Sequence, residues 1–147
     1  MKSLARDLGI EGNVEFLGQR GDVDELIALT RVFVLTSQAE GLSIAMLEAM
    51  ASGAVPVVSH VGDLGDFVQN GVNGYLVQQE DIEGYSRVAL GVLTDPELWR
   101  RLSRQARSTS LATSGLDAVA ARWQQHLGAV IHHRRGEGRS PSWSTPG

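Results

Sequence analysis

Short apolar runs alternate along this chain with stretches whose apolar residues recur at helical spacing. Leu4 and Leu8, one turn apart, place residues 2–9 at the end of a helix with Gly9 as its C-cap. Val14-Glu15-Phe16-Leu17, bounded by Gly12-Asn13 and Gly18, predicts a short strand. Val23, Leu26 and Ile27 mark a helix from about Asp22, and Asp22 with Glu25 fits an Asp-x-x-Glu capping box. Val32-Phe33-Val34-Leu35 is a continuous apolar run, as expected of a parallel strand covered on both faces. Ile44, Leu47 and Met50 predict a helix over residues 43–52. Residues 55–58 read as the next buried strand, and residues 74–77 as a weaker fourth. Between these two a short helix is expected around residues 63–69, closed by Asn70-Gly71. From Asp81 the pattern is helical, over about 81–93, then 96–111 with Pro96 near its first turn, then 116–132. The closing stretch 134–147 holds Gly, Ser and Pro without periodicity and reads as a disordered tail behind one domain, residues 1–133.

Strands alternating with helices imply a parallel sheet, because every parallel connection needs a crossover. The expected fold is therefore α/β, a doubly wound, Rossmann-like parallel sheet with helices on both faces, or half of one. Such sheets take ligands beyond the carboxyl ends of their strands, which directs attention to the loops after Leu17, Leu35 and Val58. A length of 147 residues suits one domain. The formal net charge of −4 supplies no long-range pull toward nucleic acid or an anionic membrane. The chain has no cysteine, which excludes disulfides, thiolate zinc sites, iron–sulfur clusters and a cysteine nucleophile. No apolar run approaches the roughly 20 residues of a transmembrane helix, and the opening Met1-Lys2-Ser3-Leu4 is no signal peptide. A cytoplasmic address is the expectation.

The loop after Leu35 gathers the candidate chemistry. It reads Thr36-Ser37-Gln38-Ala39-Glu40-Gly41-Leu42-Ser43 and runs into the helix that carries Glu48. Gly41 is expected to let the backbone approach a ligand and take unusual dihedrals. Ser43 is a good N-cap, and the helix behind it offers amide N–H groups and partial positive charge to an anion. Glu48 lies five residues into that helix, roughly 7 Å along its axis, and Glu40 stands beyond its start. Ionised carboxylates are acceptors only and suit the hydroxyl donors of sugars; the amides between them suit a diphosphate. Sugar, diphosphate and ribose follow one another in that order in a nucleotide sugar.

The stretch Glu40-Gly41-Leu42-Ser43-Ile44-Ala45-Met46-Leu47-Glu48-Ala49-Met50-Ala51-Ser52-Gly53, followed by Pro56-Val57-Val58, resembles the E-x7-E signature of retaining "group 1" glycosyltransferases with the GT-B fold, the glycogen-synthase-like and sucrose-phosphate-synthase-like enzymes. The resemblance extends through residues 61–68 and 70–77 and covers about residues 4–127. It implies the C-terminal, donor-binding half of such a fold, truncated at its N-terminus. Glu48 would then hold the donor ribose hydroxyls, and Glu40 would be the catalytic residue beside the transferred sugar, orienting the ring and supporting positive charge in an oxocarbenium-like transition state. Gly41, Leu42 and Ser43 would face sugar and diphosphate with their amides. His60 and Gly62 would belong to a second loop near the donor. The resemblance also implies a leaving diphosphate stabilised by amides and basic side chains, with no metal or other cofactor. The partners implied are a nucleotide sugar and a separate N-terminal acceptor domain or partner chain, with no nucleic acid. Transfer needs two domains closing around the donor, so this half alone is expected not to turn over.

The sequence departs from the family pattern in places. Gly53-Ala54-Val55-Pro56 has one residue more than the usual Gly-x-Pro, Gly62-Asp63 stands for a double glycine, and Asp66 stands where glutamate is common. The family's basic diphosphate grip is not seen; Lys2 is the only lysine. A second reading is therefore a non-catalytic nucleotide-binding or interaction module, and a third, weaker one is an unrelated receiver-type α/β domain. Asp22-Val23-Asp24 resembles a metal clamp but fits a helix cap better. Arg100, Arg101, Arg104 and Arg107 read as a solvated helix face, Trp99 and Trp123 as packing residues, and His132-His133-Arg134-Arg135 as a positively charged helix end.

Overall fold

A computed structural model describes residues 1–115. In chain order it shows α1 (Lys2–Asp7), a 3-10 turn (Glu11–Asn13), α2 (Val23–Ala28), β1 (Val32–Leu35), α3 (Ile44–Ser52) and β2 (Val55–Ser59). A second 3-10 turn (Gly62–Asp66), β3 (Tyr75–Val77), α4 (Ile82–Thr94) and α5 (Pro96–Ser114) follow. The three strands form one parallel sheet in the order β1-β2-β3, with Val32 opposite Val55 and Val57 opposite Tyr75.

The alternation of side chains along each strand sorts the core into two faces. On one, Val58 packs with Met46, Leu47 and Met50 of α3, Leu64 and Val68 of the following connection and Ala106 of α5, with Phe33, Leu35 and Leu76 beside them. On the other, Val57 and Val77 pack with Tyr85 of α4, and Val55 packs with Val92 and Leu102. Helices thus cover both faces, as expected. Every residue of β2 is buried, which is what its unbroken apolar run requires. Pro56 fits this central strand because β3 begins only opposite Val57, so the missing N–H faces a point where the ladder has not started. Gly74 lies hard against Pro56, where a Cβ would meet the proline carbonyl oxygen at 2.7 Å.

The helix ends follow their local chemistry. Ser43 caps α3, its Oγ accepting from the Met46 amide at 3.3 Å, and Gly53 closes the helix at φ +92°. Asp95 caps α5 just before Pro96, accepting from the amides of Glu97 and Leu98 at 3.0 Å each. Gly9, at φ +67°, follows the last turn of α1 as the sequence suggested.

Three expectations need correction. Residues 14–17 form no strand among the described residues, although Val14 itself is extended, and Val14, Phe16 and Leu17 are 38–40% exposed. Apolar alternation marks an extended segment, but only a hydrogen-bonded neighbour makes it a strand. Leu17 accordingly ends no strand of this sheet. The expected helix around residues 63–69 is a 3-10 turn over Gly62–Asp66. Its connection closes through Asn73, which is buried. Asn73 Oδ1 accepts from the Gln69 amide at 2.7 Å, and its Nδ2 donates to the Phe67 carbonyl at 2.8 Å and to Thr109 Oγ1 at 3.1 Å. Finally, Asp22 precedes α2 but does not cap it: no side-chain bond reaches the helix amides, because its carboxylate is taken by Arg20. The expected helix over 116–132, Trp123, the histidine–arginine cluster at 132–135 and the tail 134–147 lie outside the described residues.

Asn73→Ala strips partners from two backbone groups and one hydroxyl in a buried turn. We expect a loss of about 1–3 kcal/mol of unfolding free energy, read from urea denaturation with an unchanged m-value.

Candidate functional site

The carboxyl ends of β1 and β2 are held together by a buried polar link. Ser59, the last residue of β2, donates its hydroxyl to the carbonyl of Leu35, the last residue of β1, at 3.3 Å. The Tyr85 hydroxyl of α4 donates in turn to Ser59 Oγ at 2.9 Å. Each buried hydroxyl thus has a partner, and the two loops that follow start from fixed points. Neither Ser59 nor Tyr85 was picked out from the sequence; a serine and a tyrosine 26 residues apart carry no local pattern.

The first loop carries Glu40. Its side chain is half-buried, and Oε2 accepts from the Ser37 hydroxyl at 2.9 Å. Gly41 takes no positive φ, and a Cβ there would meet nothing within 4 Å. The unusual dihedral expected at Gly41 is therefore not found; what its missing side chain leaves is open space. Leu42 is 53% exposed, and Ser43 is buried as the cap of α3. With the Met46 amide bonded to Ser43, the amides of Ile44 and Ala45 remain in the first turn without an intrahelical acceptor.

Glu48 is exposed one turn and a half into α3 and borders a hollow of about 480 Å³ between α2 and α3, lined also by Val23, Asp24, Ile27 and Ala51. Glu40 does not line that hollow. The two carboxylates flank the same helix entrance in sequence, but this hollow belongs to Glu48 alone.

The second loop begins at His60, whose amide donates to the Val77 carbonyl at 2.8 Å. Its exposed imidazole Nδ1 is 3.4 Å from Gln78 Nε2, just past the end of β3 in sequence. Gly62 follows at φ +52°, and its Cα lies against Glu40: a Cβ would overlap the Glu40 carbonyl oxygen and stand 2.9 Å from the carbonyl carbon. The structure therefore brings Glu40 and Gly62 together, while Ser43 caps α3, His60 lies near Gln78 and Glu48 borders the hollow against α2.

The other motifs have structural roles. Arg100, Arg101, Arg104 and Arg107 are exposed, with Arg101 donating to the Gly71 carbonyl at 2.8 Å. Trp99 packs beside Val55 and Leu102, with the Arg31 guanidinium 5.1 Å above its ring. No helix among the described residues is long and apolar enough to cross a membrane.

The chain is similar to known proteins over most of its described length. The family model described as "Glycosyl transferases group 1" matches residues 1–109. The N-acetyl-alpha-D-glucosaminyl L-malate synthase of Bacillus anthracis is 36% identical over 106 residues, covering 72% of this chain and 28% of that protein. The lipopolysaccharide core biosynthesis glycosyltransferase LpsE of Rhizobium meliloti is 33% identical, covering 86% and 37% respectively. This chain thus spans about a third of the length of such relatives. Among solved structures, sucrose-phosphate synthase from Thermosynechococcus elongatus superposes with a TM-score of 0.79 at 25% identity, over 90% of this chain and 34% of that one. HepE of Anabaena, solved in complex with UDP, shares the fold at a TM-score of 0.80 and 23% identity, over 86% and 35%.

The pair beside α2 yields a measurable titration. Hydrogen bonding from Arg20 holds the Asp22 carboxyl below its ordinary 3.8, and Asp22 raises Arg20 in return. A lowered carboxyl favours the fold above its unfolded value and gives that up as pH falls through the folded one. Both groups are exposed, so the effect on stability is small. In an NMR titration the Asp22 carboxyl is expected to show a midpoint below 3.8, moving up in Arg20→Ala.

Proposed function

Since the chain belongs to the group 1 glycosyl transferases, we propose that it is the nucleotide-sugar-binding part of a retaining glycosyltransferase. The observation that carries the proposal is the capped mouth of α3. Its unpaired amides at Ile44 and Ala45 lie between Glu40 on the preceding loop and Glu48 inside the helix. The amides take the diphosphate, whose charge increases as the bond to the anomeric carbon breaks and the electron pair leaves with it. Glu40 stands on the sugar side, orienting the ring and stabilising positive charge at the anomeric carbon. Glu48 accepts from the ribose hydroxyls, and its hollow against α2 leaves room beside the ribose. Gly41, with nothing within 4 Å of where a Cβ would stand, allows the donor to approach the backbone. His60 and Gly62 border the same edge.

The reaction read here uses no resident metal or other cofactor and belongs to the cytoplasm. The acceptor belongs to a further domain or partner chain, as the relatives' greater length suggests. HepE is solved with UDP and, in a second structure, with UDP-glucose, which supports a nucleotide-sugar donor for this fold.

Calorimetry with UDP, GDP and ADP and their glucose conjugates tests the reading. At least one pair is expected to bind, with and without EDTA. Glu48→Ala is expected to weaken nucleotide binding by about tenfold or more, the scale of one lost charge-assisted hydrogen bond. Glu40→Ala is expected to leave nucleotide binding within about threefold but to cut sugar transfer by about 100-fold or more once an acceptor half is supplied. Failure of every nucleotide to bind overturns the proposal. Binding that depends on Glu48 with no transfer under those conditions assigns the chain the role of a nucleotide-binding module.

A further inference from the structure

Glu40 owes its place to two contacts that have no counterpart at Glu48. One is on the side chain, where the Ser37 hydroxyl donates to Oε2 at 2.9 Å. The other is on the backbone, where Gly62 lies so close that a Cβ would overlap the Glu40 carbonyl oxygen, with the Glu40 amide nitrogen 3.6 Å away. Gly62 itself has little room to retreat. Two residues on, Leu64 is fully buried against Met46 and Met50 of α3 and anchors the 3-10 turn to the core. Three residues before it, Ser59 is fastened to both Leu35 and Tyr85. At φ +52° the position also favours glycine on backbone grounds. The loop after β2 is thus a fixed stop against which the loop after β1 rests.

From this geometry we infer that Ser37 and Gly62 are positioning residues for Glu40, setting its carboxylate for the sugar half of a donor and leaving the nucleotide half untouched. This rests on the proposed role of Glu40, and it adds a division of labour: one pair of residues tunes discrimination between a nucleotide sugar and the bare nucleotide. A side chain at 62 moves the Glu40 carbonyl, and a carboxylate misplaced by a fraction of an ångström loses its bond to a sugar hydroxyl while the helix amides keep the diphosphate.

The test uses the full chain and three ligand pairs, UDP-glucose with UDP, GDP-glucose with GDP, and ADP-glucose with ADP, carrying forward the pair that binds best. Gly62→Ala and Ser37→Ala are each expected to weaken the nucleotide sugar about tenfold relative to its nucleotide, whose own affinity stays within about twofold. Ser37→Thr, which keeps the hydroxyl, is expected to restore the ratio, and neither loss should appear in a Glu40→Ala background. Equal weakening of both ligands, or a change in ratio that persists without Glu40, overturns the inference. Should Gly62→Ala fail to fold, the Ser37 pair decides by the same ratio. The ligand-free amide spectrum supplies an independent reading, in which Gly62→Ala moves the resonances of Glu40 and Gly41 more than those of Glu48 and Val92. A chain that binds none of the six ligands overturns the donor reading, and with it the division of labour. Unmoved Glu40 and Gly41 resonances overturn the positioning alone.

Discussion

Complete burial of β2 is the constraint on which the other features depend. A strand with no wet face needs a covering layer on each side, which here are α3 with the Leu64 turn and α4 with the start of α5. Those layers fix the directions in which β1 and β2 deliver their chains, and so where the two loops begin. A single dry strand thereby determines that Glu40 and Gly62, on separate loops, end in contact. The polar link through Ser59 and Tyr85 is affordable in that interior because each hydroxyl finds a partner within it.

The site is made mostly of backbone. Apart from the two glutamates, what the mouth of α3 offers is a turn of amides and, on the loop before it, a glycine with nothing within 4 Å of where a Cβ would stand. Such groups need no rotamer to be frozen when a ligand arrives, and they cannot be removed by substitution, only displaced. The side chains that matter most to the geometry are accordingly those that hold the backbone. Ser43 does so from inside the helix cap, Ser37 from within the loop, and Leu64 from the core.

Much of this was legible from local pattern. Ser43, Gly53, Asp95 and Pro96 act within a few residues of themselves, and their roles at helix ends follow directly from their types. The apolar runs of β1 and β2 announced a parallel sheet because few other environments bury so many successive residues. What escaped was either non-local or a competition between local choices. Asp22 had two available uses, and the guanidinium two residues back prevailed over the helix amides. Residues 14–17 have the letters of a strand without, among the described residues, the neighbour that makes one. The approach of Gly62 to Glu40 spans 22 positions and is possible because glycine has no Cβ there, so no spacing rule exposes it.

The last described helix has a quieter significance. α5 bears none of the candidate site residues, yet Ser110 is buried and donates to the Leu47 carbonyl at 2.7 Å, one residue before Glu48. Thr109 meets Asn73 in the same stretch, at the final position matched by the family model. A recombinant version trimmed to that boundary would keep every recognised motif while cutting the fastening between α5 and the helix that presents Glu48. The region recognisable by ancestry and the region needed for a stable scaffold end at different residues.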